Sequence, residues 1–335
     1  MNDRYRQQVR FAPFGTHGQE RWQRATVGIV GLGGLGAALA AHVVRTGAGR
    51  AILIDRDFVE DSNLPRQILY TAADAARALP KAAAAKDHLS DVGSATQIVA
   101  AVEDLTVRSV ERLLQSCDLV LDGLDNVEAR LLINDYCRRE RKPWVYGGAV
   151  GSTGAVLLVT RDGPCLRCLF PELESAPPLE TCDTAGVLSP LPAMVASLQV
   201  AEAMRCLAEA EPAPRLWHID SWSGHAFVSD SLSLAPDCPC CARGTFPALD
   251  RPASTTAQLC GRGMIQITPA RVLELDLADV ARRWKDTGAV DCNPFLVRLK
   301  LEDCTIVLFP DGRALIQGVD NAERARSLYA RYVGT

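Results

Sequence analysis

The stretch Ile29–Val43, IVGLGGLGAALAAHV, limits what this chain can fold into more than any other. Gly31, Gly33 and Gly36 satisfy G-x-G-x-x-G directly after the short apolar run VGIV, and Asp55 closes the next apolar run, AILID. A strand, a glycine turn and a helix N-terminus make a backbone cradle for phosphate, because unpaired N–H groups and the helix dipole both face an anion. With an acid placed for a ribose, the pattern reads as a dinucleotide fingerprint. The loop concerns only backbone approach, however, so it admits NAD and ATP alike.

The rest of the first half agrees with a doubly covered sheet. Val27–Val30, Ala51–Ile54, Gln97–Val102, Leu119–Asp122 and Trp144–Gly147 read as strands, separated by AALAAHVVRT, KAAAAKDHLS, VRSVERLLQS and EARLLINDYCRRE at helical spacing. Strand–helix alternation predicts a parallel α/β sheet with helices on both faces, Rossmann-like. After Gly147 the crossover helices stop. TGAVLLVT, LWHID and HAFVSDSLSL continue the sheet antiparallel, making it mixed, and AMVASLQVAEAMRCLAEA is a strongly apolar helix after the Pro-rich loop PELESAPPLETCDTAG. These patterns give a nucleotide-binding domain over 1–243, a linker over 244–260 and a small α+β domain over 261–335.

Composition narrows the class. With 48% apolar residues and a net charge of −4 over 335 residues, the chain offers no basic field, so direct nucleic-acid binding is not expected. No apolar run reaches about 18 residues and MNDRYRQQVR is no signal peptide, so the expected address is the cytoplasm with no membrane partner. Twelve cysteines in a reducing compartment point to metal or thiol chemistry rather than disulfides. Cys117, Cys137, Cys206 and Cys304 sit in apolar or helical contexts and read as core residues.

Three downstream features weigh the nucleotide toward ATP. DRDFVEDSNLPRQ brings Asn63, Arg66 and Gln67 into one polar loop, where the Arg fork suits phosphate oxygens. Lys81 follows Pro80, a residue favoured in the first turn of a helix, so an ammonium stands beside a helix N-terminus. Asp122 and Asp125 stand just past the carboxyl end of a strand, where a carboxylate can hold Mg²⁺ against phosphate. Asp125 could equally cap the helix that follows.

RY, GQE, GLGGLG, D-x-D, SNLPRQ, PKA, LDNVEAR, GPCLRCLF, TCDTAGVLSPLP and DCPCC occur in that order over residues 4–243. In this the chain resembles the MoeB/ThiF adenylyltransferases, relatives of the ubiquitin-activating enzymes. The resemblance implies ATP-dependent adenylation of the C-terminal glycine of a ubiquitin-like sulfur-carrier protein ending in Gly-Gly. That step primes the carrier for thiocarboxylate formation with a sulfur donor such as a cysteine desulfurase or rhodanese. By similarity Gly31, Gly33, Gly34 and Gly36 admit the nucleotide and Asp55 takes the ribose. Asn63, Arg66 and Lys81 hold the phosphates, Asp57 and Gln67 support the loop, and Asp125 coordinates Mg²⁺. Arg66, Lys81 and Asp125 are the expected catalytic residues. Cys182 matches the family's loop cysteine, a candidate nucleophile.

Cys165 and Cys168 with Cys238 and Cys241 give C-x-x-C…C-x-x-C, a structural Zn²⁺ pattern, with Cys240 competing at one position. The family's N-terminal arginine, offered to the neighbouring subunit of a homodimer, is replaced here by Gln7 in RYRQQ. Simple family members end near the second cysteine pair, so the tail has no role assigned by the resemblance. Two other readings stay open at this stage: adenylation of a peptide or tRNA-base carboxylate, and an NAD-dependent Rossmann oxidoreductase.

Overall fold

Apolar runs of five residues, alternately facing two sets of helices, build the larger part of the molecule. The computed structural model describes residues 3–93, 95–173, 185–210, 212–251, 256–259, 264–269, 271, 273–319 and 321–334. The chain divides into two compact units, Met1–Arg251 and Pro252–Thr335.

In the first unit the strands are β1 (Thr26–Val30), β2 (Arg50–Ile54), β3 (Gln97–Ala101), β4 (Leu119–Asp122), β5 (Trp144–Val150), β6 (Thr153–Val159), β7 (Leu216–Asp220) and β8 (His225–Ser229). They form one sheet in the order β3-β2-β1-β4-β5-β6-β7-β8. Pairing is parallel from β3 through β5 and antiparallel from β5 to β8. Successive side chains of a strand point to opposite faces, and here both faces are covered. Ile29, Leu53, Leu121 and Val145 pack with helices Gly34–Arg45 and Leu191–Ala208. Their neighbours Val30, Ile54, Val120 and Trp144 pack with helices Val110–Leu114 and Val127–Arg139 on the other side. Buried on both faces, these strands carry unbroken apolar runs. Ala37, Ala38 and Ala40 are fully buried, so the first helix lies close against the sheet.

Local signals set the ends of these elements. Asn126, rather than Asp125, caps helix Val127–Arg139, its Oδ1 accepting from the Ala129 N–H at 2.9 Å. Pro80 stands one position earlier than the sequence suggests: it is the cap residue, and Lys81 opens the helix Lys81–Ser90. The apolar run after His225 keeps strand geometry only to Ser229, because the following serines and Pro236 supply no second apolar face. Most of the Pro-rich loop, Cys182 included, lies outside the described residues.

The second unit is a six-stranded antiparallel sheet. Its strands are β9 (Thr256–Leu259), β10 (Met264–Ile267), β11 (Ala289–Cys292), β12 (Val297–Lys300), β13 (Thr305–Leu308) and β14 (Ala314–Gln317), ordered β11-β12-β13-β14-β10-β9. The run FLVRLKLEDCTIVLF forms a hairpin, closed where the Leu301 N–H donates to the Cys304 carbonyl at 2.9 Å. β9 falls inside the stretch whose composition reads as a linker, and is held as an edge strand by β10. Ile265, Val297, Leu299, Ile306 and Ile316 form the core with Val280 and Trp284 of helix Leu277–Trp284 and Tyr329 of helix Ala322–Tyr332. Asp276 and Asn321 cap those helices. Among the described residues no helix is long and apolar enough to cross a membrane.

Candidate active site

Gly31 follows β1 with φ +83°, and a side chain there would bring its Cβ within 2.7 Å of the carbonyl of Gly123, which follows β4. At Gly36 a Cβ would overlap the Gly31 carbonyl oxygen itself. Both positions therefore exclude any larger residue, and the first turn of helix Gly34–Arg45 closes onto the ends of β1 and β4. Gly33 differs: it faces open space, with only Gln67 Nε2 within reach of a Cβ, at 3.9 Å. Gly34 lies against Pro192, 3.2 Å from where its Cβ would be.

Asp55 follows β2 and grips this turn. Its Oδ2 accepts from the Leu32 N–H at 2.6 Å and its Oδ1 from the Asp57 N–H at 2.7 Å. Burial pushes its carboxyl above the ordinary range, while the Lys81 ammonium and both N–H donors pull it back. Tyr70 hydroxyl donates to the Leu32 carbonyl at 2.9 Å and approaches the Lys81 carbonyl at 3.4 Å, so the glycine turn and Lys81 share one brace. Lys81 is only 2% exposed, and its Nζ stands 3.1 Å from Asp57 Oδ2. The pairing gives Asp57, expected only to support its loop, a specific partner.

On the other side of the turn lies the polar loop. Asn63 and Gln67 are buried, and Gln67 Nε2 donates to Asn63 Oδ1 at 2.7 Å. Gln67 Oε1 is buried without a hydrogen-bond partner among the described residues. Arg66 is half-buried, its Nη1 donating to the Ser62 carbonyl at 3.0 Å. The open glycine at the N-terminus of helix Gly34–Arg45 and the buried Lys81 ammonium fit the anionic part of a ligand such as a nucleotide, and the orphaned Gln67 acceptor fits a hydroxyl or amino donor of one.

The two acids after β4 part company. Asp122 is fully buried and held by Arg130 Nε at 3.0 Å, so it is not available to a metal. Burial raises its carboxyl and the guanidinium opposes that rise. Asp125 is exposed just past the carboxyl end of β4, where open α/β sheets offer ligands a crevice, and is the carboxylate there that can face a cation. Arg130 was not among the residues expected at the site; a lone arginine in a helical run reads as a surface charge. Of the N-terminal arginines, Arg4 donates to the carbonyls of Val92 and Gly93, at 2.7 and 3.0 Å, and Arg6 pairs with Asp3. Gln7 is exposed.

Away from the crevice, the thiols of Cys165, Cys168, Cys238 and Cys241 lie within 4.8 Å of one another, an arrangement compatible with a tetrahedral zinc ion. Cys240 is not one of these four, although its side chain interacts with that of Cys165. Its thiol donates to Asp135 Oδ1 at 3.1 Å, and Asp135 is also held by Arg167 at 2.8 and 3.0 Å and by the Ala248 N–H.

A model of the ThiF family matches residues 5–241. The chain is 39% identical to the sulfur carrier protein ThiS adenylyltransferase of Bacillus subtilis over 338 aligned positions, covering all of both chains and hence the second unit too. It is 35% identical to the sulfur carrier protein adenylyltransferase of Thermus thermophilus, over 71% of this chain and 90% of that one. Among solved structures it resembles E. coli MccB, crystallised with ATP, with a TM-score of 0.61 at 21% identity over 72% of this chain and 75% of that one. That last likeness is one of fold.

Proposed function

We proceed from the premise that the chain belongs to the ThiF family, and we propose that it adenylates the C-terminal glycine of a ubiquitin-like sulfur-carrier protein with ATP. The observation that carries the reading is the buried Lys81 ammonium, held by Asp57 beside the glycine turn that Asp55 and Tyr70 brace. A triphosphate carries more negative charge than a dinucleotide's pyrophosphate and gains more from that cation. Full-length similarity to a sulfur-carrier adenylyltransferase supports the same substrate class.

The chemical obstacle is charge, since an anionic carboxylate must approach a polyanion. A carboxylate oxygen of the carrier forms a bond to the α-phosphorus, the bond to the bridging oxygen breaks, and pyrophosphate leaves with that electron pair. The product is an acyl-adenylate. Cations set in place beforehand lower this barrier without reorganising during the reaction. Lys81 and Arg66 are the protein's own cations, and Asn63 with the N–H groups at Gly33 and Gly34 completes the cradle. Asp55 takes the ribose and Gln67 orients Asn63. Asp125 would hold Mg²⁺, which when bound screens phosphate charge.

The four-cysteine cluster would hold Zn²⁺ as a structural ion joining the segment at Cys165 to that at Cys241. Cys182, outside the described residues, is assigned the thiol that attacks the acyl-adenylate carbon and releases AMP. A Cys182→Ala variant with full sulfur transfer would remove it from the mechanism. A sulfur donor of the desulfurase or rhodanese class and a cytoplasmic homodimer complete the reading, with Gln7 leaving open which side chain faces the partner subunit's nucleotide.

The test is mass spectrometry of candidate carriers ending in Gly-Gly after incubation with the protein, ATP and Mg²⁺. The expected result is a carrier–AMP adduct and carrier-dependent exchange of labelled pyrophosphate into ATP. Absence of both with every carrier encoded beside the protein would refute the proposal.

A further inference from the structure

The backbone ladder between β4 and β5 stops early. Only Val120–Trp144 and Leu121–Val145 pair, and beyond them the strands are joined by side chains. From one face of the sheet Gln199, on helix Leu191–Ala208, donates through Nε2 to the carbonyls of Asp122 (2.8 Å) and Val145 (3.1 Å). Its amide lies flat where a Cβ on Gly147 would be, so only glycine fits there. From the other face Arg130, on helix Val127–Arg139, reaches the same gap. Its Nη2 donates to the carbonyls of Leu124 (2.6 Å) and Gly147 (2.8 Å), and its Nε to Asp122 Oδ2 (3.0 Å). The Tyr146 ring supports the guanidinium, 5.0 Å from its centroid.

These bonds converge on the residue before Asp125. The Leu124 carbonyl is held by Arg130, and the Leu124 N–H donates to Asp122 Oδ1 at 2.9 Å. On the other side of Asp125, Asn126 is locked as the helix cap. The backbone of Asp125 is therefore clamped at both flanks while its carboxylate stays exposed. Arg130 interacts with the Asp122 carboxylate more strongly than with that of Asp125, and its hydrogen bonds go to Asp122, Leu124 and Gly147. Buried ion pairs contribute little net stability compared with apolar packing, so stability alone is a poor account of why a fork with three acceptors sits here.

We propose that Arg130 is a positioning residue, which through Leu124 and Asp122 fixes where Asp125 presents its carboxylate to the metal-bound triphosphate. This rests on the reading that Asp125 holds the nucleotide's Mg²⁺. Groups that orient a metal ligand without touching the metal change its affinity by about 10–100-fold when removed.

The experiment measures ATP affinity by calorimetry with and without Mg²⁺, in the wild type, Arg130→Lys, Asp125→Ala and the double variant, together with thermal melting. Lysine keeps the charge and loses the fork. The expected result is that Arg130→Lys reduces the Mg²⁺-dependent gain in ATP affinity by about tenfold or more, with metal-free affinity unchanged. In the Asp125→Ala background the same substitution does nothing further, the non-additivity of residues acting as one. Asp122→Asn, close in shape, is the second variant and moves the gain in the same direction.

A wild type whose ATP affinity ignores Mg²⁺ strikes at the reading of Asp125, not at Arg130 alone. If the wild type responds to Mg²⁺ and Arg130→Lys responds equally, the proposal is overturned. An effect that persists undiminished in the Asp125→Ala background overturns it too. So does loss of folding in both Arg130→Lys and Asp122→Asn, which would assign these residues to stability.

Discussion

Lys81 is held by Asp57 at both ends: its Nζ lies 3.1 Å from Asp57 Oδ2, and its backbone N–H donates to the Asp57 carbonyl at 2.8 Å. The ammonium is thus aimed by the loop that follows β2, not by its own flexible stem. Lys81→Ala should reduce carrier-dependent pyrophosphate exchange by a hundredfold or more, about what one lost electrostatic donor removes in a preorganised site. Arg66→Ala should reduce exchange comparably while leaving the melting temperature unchanged, because its side chain is half-buried and bonded to a carbonyl of its own loop. Asp57→Ala should lower melting by several degrees, since it strips the nearest carboxylate from a buried charge. Exchange assays and melting curves on the three variants separate chemistry from folding.

Gly33 and Gly36 belong to one motif and should fail differently. A methyl group at Gly36 collides with the Gly31 carbonyl, so Gly36→Ala should unfold the turn and lower melting strongly. Gly33 has an ordinary negative φ of −73° and free space in front of it. Gly33→Ala should stay folded yet bind ATP at least tenfold more weakly, because the methyl occupies the ligand's side. Equal ATP affinity in Gly33→Ala and wild type would mean that the phosphates lie elsewhere.

Asp74 offers a pH-dependent test of folding. It completes the capping box of helix Ala72–Ala76 with Thr71 and bonds His88 Nε2 at 2.8 Å. Burial raises its carboxyl, but the bonds from His88 and Thr71 outweigh that, and the net shift is downward. A carboxyl depressed in the folded state adds stability above its unfolded pKa, about 3.9, and loses it as pH falls through the folded value. Asp74→Asn should therefore be about 1 kcal/mol less stable than wild type at neutral pH. The gap should close as the pH drops below about 4. Urea midpoints across that range check the sign.

The parts of the site legible in the sequence are those whose chemistry is local. The glycine turn, Asp55 at a strand end, and the paired cysteines each announce themselves within a few residues, and the change from parallel to antiparallel pairing follows from where the crossover helices stop. Arg130 and Gln199 were not legible. Arg130 stands at the start of the run RLLIN and Gln199 within SLQVA, and their bonds to the carbonyls of Gly147, Asp122 and Val145 are made at strand ends that no side-chain pattern encodes. The signal was present in weaker form: Gln199 falls between Leu198 and Val200 in a helix otherwise apolar at that level, where an unpartnered amide would be costly. The edge strands β9 and β11 escaped for another reason. Each has a neighbour on one side only, and four residues such as TAQL or AVDC are too few to show an alternation.

Cys240 and Cys241 are adjacent in sequence and differ in what they face, which yields the sharpest test of the cysteine cluster. Cys241 joins Cys165, Cys168 and Cys238, whereas the Cys240 thiol donates to Asp135, a fully buried carboxylate that also accepts from Arg167 and the Ala248 N–H. A hydroxyl can make the donation that the Cys240 thiol makes, but it is a poor substitute for a thiolate on zinc. Cys240→Ser should therefore retain one equivalent of zinc per chain and melt near the wild type. Cys241→Ser should lose most of its zinc during dialysis against a chelator, and its melting temperature should fall, because a structural ion contributes its binding free energy to the folded state. Metal analysis of freshly reduced protein decides between them: zinc retained by Cys241→Ser and lost by Cys240→Ser would reverse the assignment, and no zinc in the wild type would leave four thiols as plain core residues.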